Sequence, residues 1–123
     1  MKREVVYISR HLLAAHVLSQ AYANKHIGKY VWLFGADSVI SYALELLNSK
    51  YDYDASVLYS EVIDSLYTLE PNIDVDIIAT CANEAICVIE YLVNIVLSIV
   101  GMGKISDIQH TEYAHIVRIA VWR

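Results

Sequence analysis

One proline and four glycines in a chain of 123 residues leave little material for turns. That scarcity excludes collagen-like, linker-rich and disordered compositions, and it disfavours a turn-rich all-β sandwich. Cysteine is equally sparse. Cys81 and Cys87 are the only two. On one helix their six-residue spacing separates them by about 9 Å along the axis and turns them to different faces, too far to bridge. Two buried, reduced thiols and a cytoplasmic setting are therefore expected. No signal peptide is expected either, because Lys2 and Arg3 are followed by Glu4 and a segment broken by Arg10, His11 and His16. Long uncharged runs are also lacking. The longest stretch without charge in the most apolar region, Tyr91 to Gly103, falls short of the roughly 20 residues a bilayer span requires. The region from Ile77 to Met102 reads as a core helix, with no membrane partner.

Basic residues are missing from one long window. Between Tyr51 and Asp76 there are seven carboxylates, Asp52, Asp54, Glu61, Asp64, Glu70, Asp74 and Asp76, and no lysine or arginine. The net charge of −5 thus hides a strong polarity. Residues 1–29 carry +4, residues 30–103 carry −10, and the remainder +1. An acidic middle of this kind repels nucleic acid and favours a basic partner.

What the chain does contain is apolar periodicity, with 57% hydrophobic residues. One pattern runs from about Arg3 to Asn24, where Val5, Leu12, Leu13, His16, Val17 and Gln20 recur at helical steps and Asn24 and Gly28 mark the end. Another spans roughly Asp37 to Ser49, with Asp37 or Ser38 as N-cap and Ile40, Ala43, Leu44 and Leu47 as its stripe. Between them, Tyr30 to Phe34 reads equally as a short strand or as the start of that helix. The spacing of Leu58, Val62, Leu66 and Leu69 predicts a third helix from Ala55 to Leu69, halted by Pro71. Asp74 or Asp76 then caps a long central helix to about Val100. Its polar residues (Thr80, Asn83/Glu84, Cys87, Tyr91, Asn94, Ser98) form one stripe, and Gly101 and Gly103 end it. A fifth helix is expected from Ser106 and Gln109 at capping-box spacing, with Ile105, Ile108, Val117, Ala120 and Val121 inward. The expected fold is all-α: a single-domain bundle of about five helices around a long central helix near residues 74–100.

Several features occur in an order that resembles a known family. A helix closing Leu44-Glu45-Leu46-Leu47 is followed by Tyr53-Asp54 and an acidic helix that ends Leu69-Glu70-Pro71. Asp74 and Asp76 come next, and then a helix with small residues at Ala79, Ala82 and Ala85 and Glu90 beyond them. This stretch, Ala43 to Val93, resembles the bacterial YjaG-like family, a domain of unknown function. Weaker similarity extends from about Leu12 to Ile119. The resemblance implies an all-helical fold and supplies no catalytic residues. One reading it leaves open is a housekeeping scaffold, monomeric or dimeric through Tyr30 to Phe34.

No catalytic constellation assembles. The pairs His11/His16 and His110/His115 are five residues apart, which places their members about 140° apart on a helix, unlike metal-binding pairs at three or four. Glu112 and His115 form a single ExxH, whereas a di-iron bundle needs two with two further glutamates. A carboxylate/histidine metal bundle on Glu84, Glu90, Glu112 and His115 is thus a minor alternative. Glu84 and Glu90 are expected to form salt bridges with a base such as Arg10 or Arg118. No cofactor or metal is expected.

A binding surface is better supported. Ten tyrosines is a high number for this length, and Tyr51, Tyr53, Tyr59 and Tyr67 fall within the acidic window. Tyrosine buries apolar area at low entropic cost, and neighbouring carboxylates steer a cationic partner. The expected partner-binding residues are Tyr51, Asp52, Tyr53, Asp54, Tyr59, Glu61, Asp64, Tyr67, Glu70, Asp74 and Asp76. In this surface chemistry the chain is similar to bacterial immunity proteins, among them the acidic, tyrosine-bearing immunity proteins of colicin nucleases. That similarity implies a non-enzymatic cytoplasmic protein that neutralises a cognate basic toxin, for example a nuclease.

Overall fold

The computed structural model describes residues 2–23, 34–49, 54–101 and 103–123. The expected all-α bundle is overturned: four helices pack on a three-stranded antiparallel sheet. Strand β1 (Arg3–Ser9) leads into α1 (Arg10–Ala23). Then come α2 (Ala36–Asn48), α3 (Ala55–Leu69) and α4 (Val75–Val100), and last a hairpin of β2 (Lys104–His110) and β3 (Ile116–Trp122). The strand order is β1-β3-β2. The final strand is therefore central and ties the two ends of the chain together. Lys2 and Arg123 exchange backbone hydrogen bonds of 2.8 and 2.9 Å.

Two segments expected to be helical are strands, each for its own physical reason. Arg3 to Ser9 holds four consecutive β-branched or aromatic residues, Val5 to Ile8, whose side chains suit a pleated surface. Val6 and Ile8 face the core, while Val5 and Tyr7 point to the opposite face. In the hairpin, Ile105 and Ile108 sit three residues apart, which reads as a helical step. Both face inward because a bulge between Ile105 and Asp107 shifts the alternation by one residue. Ser106 caps no helix; its hydroxyl donates to the Ala120 carbonyl at 3.2 Å, within the sheet. Along β3, Val117, Ile119 and Val121 enter the core in strict alternation. Ala120 is buried on the other face, where its register partners are Val5 and Asp107.

The remaining helices follow their patterns closely. Asp74 caps α4, its carboxylate accepting from the Asp76 N–H at 2.9 Å. Gly101 ends the helix at φ 77°, a left-handed conformation that costs glycine little. By length and composition α4 could span a bilayer. Here its apolar stripe, Ile78, Cys81, Ala82, Ala85, Val88, Ile89, Leu92, Val96 and Val100, forms the centre of the core. Each fully buried leucine or isoleucine there contributes about 1.5–3 kcal/mol relative to exposure. Thr80, Asn83, Cys87, Asn94 and Ser98 face outward, as their spacing predicts. Cys87 is accordingly exposed, not buried as expected. Helix α2 starts at Ala36 behind Gly35 (φ 94°), not behind Asp37 or Ser38. Helix α3 has its expected bounds and buries Leu58, Val62 and Leu66, whereas Leu69 is exposed. The ending expected for the first helix at Asn24 and Gly28, and residues 30–33 of the aromatic segment, lie outside the described residues. Phe34 is buried and stacks on Tyr42, with ring centroids 5.8 Å apart.

Candidate protein-binding groove

Helices α2 and α3 each pack against α4 rather than closely against one another. A groove therefore runs between them, with a cavity of about 240 Å³ at the end nearer Asp54. Tyr42, Leu46, Val57 and Leu58 form its apolar lining, and Glu45, Ser49, Asp54 and Glu61 complete the wall. Towards the other end the groove continues past Asp37, Ser38, Ser41 and Ser65. Midway, the Tyr42 hydroxyl and Ser65 Oγ lie 3.2 Å apart and link the two helices.

Four carboxylates thus border one trough, those of Asp37, Glu45, Asp54 and Glu61, and among the described residues no lysine or arginine lines it. Arg10 approaches from α1, its guanidinium donating to Ser41 Oγ at 3.4 Å. Asp54 is also the N-cap of α3. It accepts hydrogen bonds from the Ser56 hydroxyl at 2.7 Å and from the Ser56 N–H at 2.9 Å. These bonds, the hydroxyl's first, hold the Asp54 carboxyl below the ordinary value of 3.8, so it is ionised throughout the neutral range. Apolar walls beneath a rim of fixed negative charge suit a lysine or arginine side chain. The aliphatic stem would lie on Tyr42, Leu46 and Val57, and the cation would reach the rim.

The expected partner-binding residues are divided by this geometry. Asp54 and Glu61 line the groove. Tyr59 and Tyr67 stand two and six residues from Glu61, about 200° and 240° around the helix. They are half-buried against the core beside Ile63. Asp64 is exposed and lines no part of the groove, and its carbonyl accepts from Thr68 Oγ1 at 2.9 Å. Glu70 is the C-cap of α3. Asp74 and Asp76 begin α4, where negative charge offsets the helix dipole. Tyr51, Asp52 and Tyr53 lie outside the described residues.

Asp37, Tyr42 and Glu45 belong to the groove but are not among the binding residues expected from the sequence. A signal for them exists, since Ser38, Ser41, Glu45 and Ser49 recur at steps of three, four and four, opposite the stripe of Ile40, Ala43, Leu44 and Leu47.

The residues of the metal alternative do not converge. Glu112 and His115 lie on the turn between β2 and β3, so their helical spacing is lost. Among the described residues no group of three histidine, cysteine or acidic side chains could hold a metal ion. Instead, the His115 ring stacks on His11 with centroids 5.5 Å apart. Glu90 is exposed, and Glu84 buries Oε2 without a hydrogen-bond partner. Among the described residues neither forms the expected salt bridge, and the ion pair present joins Arg123 to Glu4 at 2.8 Å. Comparison of the chain with protein-family models, curated proteins and solved structures finds no match.

Proposed function

We propose that this protein is a non-enzymatic binder of a basic protein, an immunity-type protein that neutralises a cognate cationic toxin in the cytoplasm. One observation carries this reading: Asp37, Glu45, Asp54 and Glu61 border a single apolar-floored groove with no basic side chain among the described residues of its lining. A rim of this kind accelerates association with a cationic surface and favours a partner with lysine or arginine at its centre. A toxic nuclease, which must itself carry positive charge to hold nucleic acid, fits that requirement. The resemblance to the YjaG-like family is compatible with the reading, because that family brings no assigned activity.

The test is growth rescue. The open reading frame next to the gene is expressed alone and then together with this chain. The reading requires that the neighbour alone arrest growth, that co-expression restore it, and that Glu45→Lys/Glu61→Lys abolish the rescue while the variant still folds. A harmless neighbour, or rescue unaffected by the two substitutions, would sink it.

A further inference from the structure

Among the described residues the outer edge of β1 has no neighbour, and its chemistry indicates what covers it. The reciprocal bonds between Lys2 and Arg123 set the phase of the ladder. Glu4, Val6 and Ile8, opposite Val121, Ile119 and Val117, turn their backbone groups toward β3. The N–H and C=O groups of Arg3, Val5 and Tyr7 consequently point away from the sheet, and they have no hydrogen-bond partner among the described residues. Val5 and Tyr7 are also 39% and 62% exposed, large values for apolar side chains on a regular strand. The opposite edge of the sheet is different. β2 is kinked by its bulge and carries Asp107, two devices that discourage further pairing. β1 has seven residues, no bulge and no proline.

We infer that β1 pairs antiparallel with β1 of a second copy about a two-fold axis at Val6, joining two three-stranded sheets into one of six strands. The same edge serves both chains, as a closed dimer requires. With the axis at Val6, odd-numbered residues stand opposite odd-numbered residues, so the outward donors of each chain meet the outward acceptors of the other. Val5 then faces the partner's Tyr7 and Tyr7 the partner's Val5, two aromatic–β-branched pairs of the kind that stabilise sheets. Arg3 faces the partner's Ser9, and Glu4 faces the partner's Ile8. Within β1 no like charges are opposed, Lys2 and the partner's Arg10 meet only at the exposed ends, and the axis leaves the two Arg3 residues roughly 20 Å apart along the strands. The two Val5–Tyr7 pairs form about four backbone hydrogen bonds in addition to the side-chain contacts. A foreign strand would gain the backbone bonds but not the two reciprocal Val5–Tyr7 pairs. The inference rests on β1 alone and is independent of the groove.

The full chain is examined by light scattering coupled to size-exclusion chromatography at roughly 100 µM, a level at which a micromolar dimer is populated. The expected mass is twice the 13.9 kDa of one chain. Val5→Pro removes an N–H that points outward and leaves the β1–β3 ladder intact, so it is expected to give a monomer with an unchanged circular dichroism spectrum. Tyr7→Lys is expected to do the same by charging the edge, and it decides the matter if the proline variant fails to fold. The register is read by oxidative crosslinking in a Cys87→Ser background. Val6→Cys, on the axis, is expected to form a disulfide-linked dimer, and Val5→Cys is not. A wild-type chain that stays monomeric, a dimer that survives both edge variants, or a dimer broken instead by Glu61→Lys would overturn the inference. Crosslinking of Val5→Cys but not Val6→Cys would overturn the register.

Discussion

Gly103 lies between α4 and β2, and replacing it with alanine tests the packing that ties helix to sheet. A Cβ built there would stand 2.2 Å from Val121 Cγ1, 2.9 Å from Arg123 Cγ and 3.0 Å from the Trp122 carbonyl oxygen. The Arg123 side chain can move aside, but the other two groups cannot readily yield. Val121 is fully buried in the core, and Trp122 belongs to the central strand, paired on both sides. Relief requires a shift of strand against helix, and overpacking of this kind costs about 1–3 kcal/mol. For a chain of this length 1 kcal/mol corresponds to about 4 °C, so Gly103→Ala should lower Tm by roughly 4–12 °C. Thermal denaturation followed by circular dichroism at two wavelengths, one for helix and one for sheet, measures it. A variant melting within about 1 °C of the parent would show that the junction has room for a Cβ and is not tightly packed.

Other consequences follow from single residues. Asp74→Ala removes the cap of α4 and should cost about 1 kcal/mol in urea denaturation, with Asp74→Asn recovering most of it. Asp54 has a carboxyl held below 3.8 in the folded state, so its contribution to stability is complete above that value and is lost as pH falls through the lower folded value. Asp54→Asn keeps a capping oxygen but cannot titrate, so the fall in urea midpoint between about pH 5 and about pH 3 should be smaller for the variant than for the parent. Leu92→Ala, at the fully buried centre of α4, should destabilise by about 2–5 kcal/mol by opening a cavity, without altering partner binding once folded.

The central helices are legible in the sequence because their apolar residues are spaced for one face and their ends carry Asp54, Asp74, Pro71 and Gly101. The sheet is not, and the reason lies in particular residues. The bulge near Ser106 puts Ile105 and Ile108 on one face at a helical interval, and β1 is short enough to merge with the stripe of α1 that follows it. Strand identity there is fixed by pairing between residues more than a hundred positions apart, Arg3 with Trp122 and Ser9 with Ile116, which no local pattern contains. For the groove, the excess of acid was visible but its arrangement was not. Sequence proximity grouped Tyr59, Tyr67 and Asp64 with Glu61, whereas packing on α4 turns the tyrosines away and brings Asp37 and Glu45 across from the neighbouring helix.

The most direct test of the groove as a binding surface is an affinity comparison. The toxic neighbour product, once purified, is titrated with the parent chain, with Glu45→Lys/Glu61→Lys, and with Asp64→Lys as a control on the exposed surface outside the groove. The double variant is expected to bind at least about 100-fold more weakly and with reduced salt dependence. Asp64→Lys should stay within about threefold of the parent. Equal losses at Asp64 and in the groove, or a double variant that binds as tightly as the parent, would contradict the groove as the binding surface.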